Sequence, residues 1–166
     1  MAQVHIASWQ TTYGGKLPQD YINQFTLERR TAYWTAALQR EGHQRGTFVA
    51  CNERGEVVGF AGCGPIRQPV QTYDGELYVI YLLESAQRRG YGRALVHACA
   101  VHLTAIGLES MMLWVLRENE QALRFYAAMG GIDLGIERAE VLAGTMVYER
   151  AYGWPSLRKT LEALEG

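Results

Sequence analysis

The sequence predicts an α/β fold, with a single mixed central sheet and helices on both faces, formed as one domain over residues 1–166. Three observations carry this. Residues 76–83 and 111–116 are nearly unbroken apolar runs, the pattern of strands covered on both faces. Each run is followed by residues at helical spacing, giving a strand–helix–strand–helix order. Shorter strand-like segments, bounded by glycine turns, lie on either side of that unit.

Taken in order, residues 3–8 and 20–38 read as helices, with Leu27, Tyr33, Trp34 and Leu38 able to line one face of the second. Between them Tyr13-Gly14-Gly15-Lys16-Leu17-Pro18 is a loop. Residues 47–52 and 57–63 form a hairpin around Glu53-Arg54-Gly55-Glu56. Residues 64–75 contain two prolines and read as a polar connection. Residues 93–106 are helical, with Leu95, Cys99, His102 and Ile106 recurring on one side. Residues 119–129 form another helix, stopped by Gly130-Gly131. Residues 132–137 and 140–148 complete the sheet.

Composition narrows the function classes. The formal net charge is -1, so no global basic field recruits nucleic acid or an acidic membrane surface. The three cysteines, Cys51, Cys63 and Cys99, lack metal-ligand spacing and read as free thiols in a reducing compartment. No apolar run is long enough to span a membrane. The N-terminus lacks the basic-then-apolar order of a secretory signal. The expectation is a cytoplasmic protein without a metal site.

The informative stretch is Gln87-Arg88-Arg89-Gly90-Tyr91-Gly92-Arg93, set between an apolar strand and a helix. A glycine turn that feeds a helix start offers several unpaired backbone N–H groups at the positive end of the helix dipole. Glycine lets an anion reach the backbone, and the arginines add charge around it. The natural ligand is a phosphate or pyrophosphate; the plainer reading is a tight turn with solvated arginines. A P-loop would need Gly-Lys-Ser/Thr, and here Arg93-Ala94 follows Gly92. A dinucleotide fingerprint would need a third glycine where Leu95 stands.

Gln87-x-x-Gly90-x-Gly92 after an apolar strand resembles the acyl-CoA-binding motif of the GNAT superfamily of N-acetyltransferases. Trp114-Val115-Leu116-Arg117-Glu118-Asn119, then Ala122, Phe125-Tyr126 and Gly130, is similar to that family's second motif. The early Ser8-Trp9, Tyr13-Gly14-Gly15 and Leu17-Pro18, with the late Ala151-Tyr152-Gly153-Trp154 and Leu157, are similar to one bacterial branch. The resemblance implies the acyl-CoA N-acyltransferase fold, acetyl-CoA as co-substrate and an amine acceptor, in a small molecule or a peptide.

It also implies roles. The strand ending at Tyr81-Leu82-Leu83 would splay from its parallel neighbour, and backbone groups at Leu82 and Leu83 would pair with the pantetheine arm. The Leu82 amide region would face the thioester carbonyl. Amides from Arg88, Arg89, Gly90, Tyr91, Gly92 and Arg93 would cradle the pyrophosphate, with Gln87 at the mouth. Asn119 and Tyr126 would approach from the next helix, although Asn119 also reads as a helix cap and Tyr126 as a core aromatic. The first two helices would wall the acceptor cleft, bringing Trp9, Tyr13 and Tyr21 near it. Trp34 reads more simply as packing.

Two departures from the family pattern matter. Glu84-Ser85-Ala86 stands where relatives often carry a proline. The family usually begins with a strand, whereas this chain begins in what reads as the first helix. Either that strand is absent, or another segment or subunit covers the sheet edge, and a homodimer is one way to do so.

The reaction needs a neutral amine. For a lysine-like ammonium with a pKa of about 10.4, that costs about 4.6 kcal/mol at pH 7. Glu76, opening the apolar strand, is the candidate base, and Tyr126 is the candidate proton donor to the departing thiolate. The histidines His5, His43, His97 and His102 read as core or surface residues. The segment 137–143, acidic on balance, mildly favours a cationic acceptor. Competing readings are a CoA-binding module without turnover, and a transferase of longer acyl groups.

Overall fold

The computed structural model describes residues 1–39 and 42–165. Six strands form one sheet in the order β1-β2-β3-β4-β6-β5. They are β1 (Gly46–Cys51), β2 (Val57–Val70), β3 (Tyr73–Leu82), β4 (Met111–Leu116), β5 (Ile132–Leu142) and β6 (Thr145–Trp154). Among the described residues six α-helices accompany them: α1 (Ala2–Tyr13), α2 (Gln19–Asn23), α3 (Leu27–Gln39), α4 (Tyr91–Ala105), α5 (Glu120–Ala128) and α6 (Leu157–Glu165). Among the described residues no strand precedes α1, and β1 forms one edge of the sheet.

The sheet carries a different layer on each face. Leu95, Val96, Cys99, Ala100 and Leu103 of α4, with Leu157 and Leu164 of α6, are buried in one cluster with Ala61, Cys63, Leu77, Met111, Leu113 and Val115 of the sheet. Leu103 is fully buried there, so Leu-to-Ala truncation at this site falls in the range of about 2–5 kcal/mol. On the other face α1 and α3 pack on Phe60 and Tyr81 through rings rather than aliphatic chains. His5 stacks on Tyr81 with centroids 4.9 Å apart, and Trp34 meets Phe60 edge-on at 4.8 Å.

The strand and helix bounds differ most from the sequence expectation in four places. The segment 20–38 is two helices, because Thr26 Oγ1 accepts a hydrogen bond from the Arg29 amide and starts α3 afresh. Residues 64–75 are not a connection. β2 runs on to Val70 and β3 begins at Tyr73, and the two prolines fall at or within the irregular register between Pro65 and Val70. The last hairpin turns at Ala143-Gly144, both at positive φ (52° and 79°), so β5 reaches Leu142 and β6 continues to Trp154. Helix α6 was not anticipated. Its signals are Ser156, whose Oγ accepts from the Lys159 amide at 3.4 Å, and apolar Leu157, Leu161 and Leu164 at helical spacing.

One irregularity positions the site. β3 and β4 are parallel, yet they pair only at Gly75–Met111 and Glu76–Met112. Beyond Glu76, β3 pairs with β2 alone, and beyond Met112, β4 pairs with β6 alone. A bulge leaves Tyr78 without an opposite residue between the Gly62–Val79 and Cys63–Leu77 pairs, and such a bulge bends its strand and raises its twist. The two parallel strands therefore diverge towards the loop that follows β3.

Candidate active site

Strand alternation decides which backbone groups face the divergence. The Leu83 amide donates to the Val58 carbonyl at 2.9 Å, and the Leu83 carbonyl accepts from the Ala86 amide at 2.9 Å. Leu83 is thus committed to β2 and to the following turn, which corrects the expectation that it pairs with a ligand. Antiparallel pairing alternates, so Leu82 and Ile80 turn their backbone N–H and C=O groups to the opened side.

The loop that follows keeps its donors free. After Gln87, whose amide bonds the Glu84 carbonyl, no backbone hydrogen bond among the described residues is donated by any amide from residue 88 to residue 93. Arg88 and Gly90 both adopt positive φ, 57° and 85°, and left-handed residues in such a turn gather consecutive N–H groups into an anion-binding concavity. Arg88, Arg89 and Gly90 are exposed. A Cβ at Gly90 would meet nothing within 4 Å, whereas one at Gly92 would lie 2.9 Å from Phe125 Cε2. Gly90 therefore answers to backbone conformation and an open approach, and Gly92 to the packing of α5.

Side chains around the loop divide into free and committed. Arg93 does not face the loop: its Nε and Nη2 donate to the Leu164 carbonyl at 3.0 and 2.5 Å, tying α4 to the end of α6. Arg89 lies 5.9 Å from the Tyr91 ring. Gln87 Oε1 accepts from Gln121 Nε2 at 2.5 Å, joining the loop to α5. Asn119 caps α5, with Oδ1 accepting from the Ala122 amide at 3.2 Å, and lines a cleft of about 300 Å³ with Thr11, Lys16 and Gln121. Tyr126 is buried, touching Phe125, Tyr152 and Trp154 edge-on or tilted. Burial, and then the nearby Tyr81 phenol, push its pKa well up, so it holds its proton throughout the neutral range.

Glu76 is not a free carboxylate. It is 3% exposed and accepts three bonds from Arg67, from the backbone N at 3.0 Å, Nε at 3.1 Å and Nη2 at 2.5 Å. The sequence reading gave it a base's environment; the structure makes it the inner half of an ion pair at the last point where β3 and β4 are joined. Glu76→Gln weakens that pair by about 1–2 kcal/mol, a modest loss because Arg67 is half exposed, and lowers Tm by about 3–6 °C. The pH–rate profile is expected to keep its shape. A displaced acidic limb would restore Glu76 as the base.

Across the sheet from α4 lies a second cavity, of about 380 Å³, lined by His5, Trp9, Phe25, Arg30, Trp34 and Tyr81 among others. Trp9 stacks on Phe25 at 4.3 Å and donates its Nε1 to Tyr81 Oη at 3.0 Å. Tyr21 also lines the cavity. Tyr13 does not line the cavity; it stacks on Trp9 at 4.2 Å and packs with Leu17 and Ile22, so it buttresses the wall rather than forming it. Trp34 and His5, read as packing, prove to be wall residues: Trp34 Nε1 donates to His5 Nδ1 at 3.0 Å. Their signal was present as His5 and Trp9 at i, i+4, and Arg30, Tyr33 and Trp34 at i, i+3, i+4.

Burial, then the Arg30 charge, lower the His5 pKa from 6.5 to about 4. The sign follows: the unfolded histidine binds a proton below about pH 6.5 and the folded one resists until about pH 4. Stability is full above pH 6.5 and is lost progressively as pH falls to about 4, by on the order of 2–3 kcal/mol. In His5→Gln that part of the acid sensitivity should disappear from urea melts taken between pH 7 and pH 4.

The acidic β5–β6 hairpin is internally neutralised. Glu137 pairs with Arg117 and Arg150, and Arg138 pairs with Glu140 and Glu149. The mild preference for a cationic acceptor drawn from residues 137–143 therefore loses its basis.

A parallel strand pair that opens above a glycine-led helix start, with bare amides at the opening, defines an acyl-CoA-dependent transferase. The chain belongs to the acetyltransferase (GNAT) family, whose model matches residues 9–131, and it is an acetyl-CoA-dependent acetyltransferase. An uncharacterized N-acetyltransferase, YuaI, of Bacillus subtilis (strain 168) is 41% identical over 157 residues, covering 95% of this chain and 87% of the relative. In fold the chain is similar to a ribosomal-protein-alanine N-acetyltransferase from Brucella melitensis, with a TM-score of 0.67 at 19% identity over 93% of this chain and 91% of the other. It is also similar to the PaiA N-acetyltransferase from Thermoplasma acidophilum in complex with coenzyme A, with a TM-score of 0.60 at 18% identity over 90% and 88%. The six-stranded sheet is thus that of the acyl-CoA N-acyltransferase fold. Among the described residues no helix is long and apolar enough to cross a membrane, and no group of three or more potential metal ligands occurs.

Proposed function

We propose that this chain moves an acetyl group from acetyl-CoA to a primary amine of a small molecule or peptide by direct attack, with no acyl-enzyme stage. The observation that carries the reading is the divergence of β3 from β4 after Glu76, ending at a run of unbonded amides over residues 88–93. Those amides, with Arg88 and Arg89, hold the diphosphate of coenzyme A. Leu82 and Ile80 offer the backbone groups along which the pantetheine arm lies, and one of their amides faces the thioester carbonyl. Bound acetyl-CoA supplies the activated acyl group. Tyr126, held protonated, donates a hydrogen bond to the sulfur as it leaves; the attacking nitrogen gives its surplus proton to water, and the thiolate regains one from water. Trp9 and Tyr21 wall the acceptor side.

The environment accounts for the proton that the amine must lose. Burial and the Arg30 charge disfavour a cation in the aromatic cavity, as the lowered pKa of His5 registers. An amine entering there is pushed the same way, towards the neutral form that attacks. The test is release of free thiol from acetyl-CoA across a panel of amines. Stabilisation by coenzyme A without turnover on any amine would leave only a binding module.

A further inference from the structure

The aromatic cavity contains two buried nitrogens without a partner among the described residues, His5 Nε2 and Arg30 Nε. His5 is 6% exposed. Its Nδ1 accepts from Trp34, so the proton of the neutral ring is on Nε2, which is a donor. The Arg30 guanidinium lies 4.5 Å from the Phe25 ring centroid and 5.1 Å from that of Tyr33. Phe25 in turn meets His5 edge-on at 5.7 Å, so one ring contacts both donor groups at the cavity wall. No carboxylate among the described residues pairs with Arg29 or Arg30, although Arg67, Arg117, Arg138 and Arg150 all have acidic partners. Leaving buried donors unmade is costly, and the cavity offers them a cation and apolar walls but no anion.

We propose that the acceptor amine carries a carboxylate, which accepts hydrogen bonds from Arg30 Nε–H and His5 Nε2–H while an apolar or aromatic body packs among Phe25, Trp34 and Trp9. The acceptor class is an amino-acid-like amine, not a polyamine. An Arg–carboxylate bond is the strong, oriented kind, and it satisfies both orphaned donors at once. The same contact anchors the acceptor so that its amine is directed to the opened strand pair. This assignment rests on the acetyl-transfer reading for its chemistry, but not for its binding.

The test uses matched amines that differ only in the carboxylate: phenylalanine against phenethylamine, and leucine against isopentylamine. Binding is read from quenching of tryptophan emission, since Trp9 and Trp34 line the cavity, and transfer from thiol release. The wild type should favour the carboxylated member of at least one pair by about tenfold or more in Kd or KM. Arg30→Gln should reduce that preference to about onefold, Arg30→Lys should keep part of it, and Arg54→Gln, altering an exposed arginine in the β1–β2 turn outside the cavity, should keep it whole. Stabilisation by coenzyme A reports folding in each variant. Carboxylate-dependent quenching without thiol release would uphold the subsite and sink the transfer reading. Turnover on amines with no carboxylate preference in any pair, or a preference that survives Arg30→Gln, overturns the subsite and leaves transfer standing. Absence of any carboxylate-dependent quenching or turnover also overturns it.

Discussion

Gly90→Glu is expected to weaken coenzyme A binding at least about 100-fold, read by calorimetry or by loss of ligand-induced thermal stabilisation. Two effects add. The carboxylate would stand among the unbonded amides assigned as donors to the diphosphate, and losing two charge-assisted hydrogen bonds already accounts for about two orders of magnitude. Gly90 also sits at φ 85°, where a side chain costs about 1–2 kcal/mol. Gly90→Ala separates the two: its Cβ enters open space, so stability falls by about that strain while affinity changes less than about tenfold. Gly92→Ala fails differently, since its Cβ would press on Phe125 and shift the helix that carries Tyr126. Retained affinity in Gly90→Glu would remove the diphosphate assignment.

The parts of the site that rest on local backbone chemistry were legible in the sequence. A glycine pair between an apolar strand and a helix start can be read without knowing the neighbours, and it led to the free amides at residues 88–93. Commitments made across the fold were not legible. Nothing near Arg93 in sequence announces the Leu164 carbonyl, 71 residues away, and nothing near Glu76 shows that Arg67 folds back over it. That pairing exists only because residues 64–75 extend two strands, which the prolines concealed. The aromatic cavity was hidden for a related reason. Its rings come from α1, α2, the link from α2 to α3, α3 and β3, and helical spacing on α3 describes only one wall.

Tyr126→Phe should slow turnover by about 10²-fold with coenzyme A affinity and Tm nearly unchanged. The substitution keeps the ring that packs between Phe125, Tyr152 and Trp154, so no cavity forms. It removes only the phenolic oxygen, which costs the fold no more than one hydrogen bond, about 1 kcal/mol. A purely structural tyrosine would therefore be replaced at no kinetic cost, and an unaltered rate would reduce Tyr126 to packing. The pH dependence adds a second discriminant. Burial and the Tyr81 phenol hold the proton on Tyr126 well above the usual tyrosine range, so the wild-type rate has no limb from its ionisation near neutrality. The loss in Tyr126→Phe should accordingly be the same at pH 6 and at pH 9. A thiolate has an ordinary pKa of about 8.5, far below that of this phenol, so the hydroxyl acts by hydrogen-bonding the departing sulfur in the transition state rather than by surrendering its proton beforehand. Acyl donors with better leaving thiols need that bond less, and the deficit of Tyr126→Phe should shrink as the thiol pKa falls.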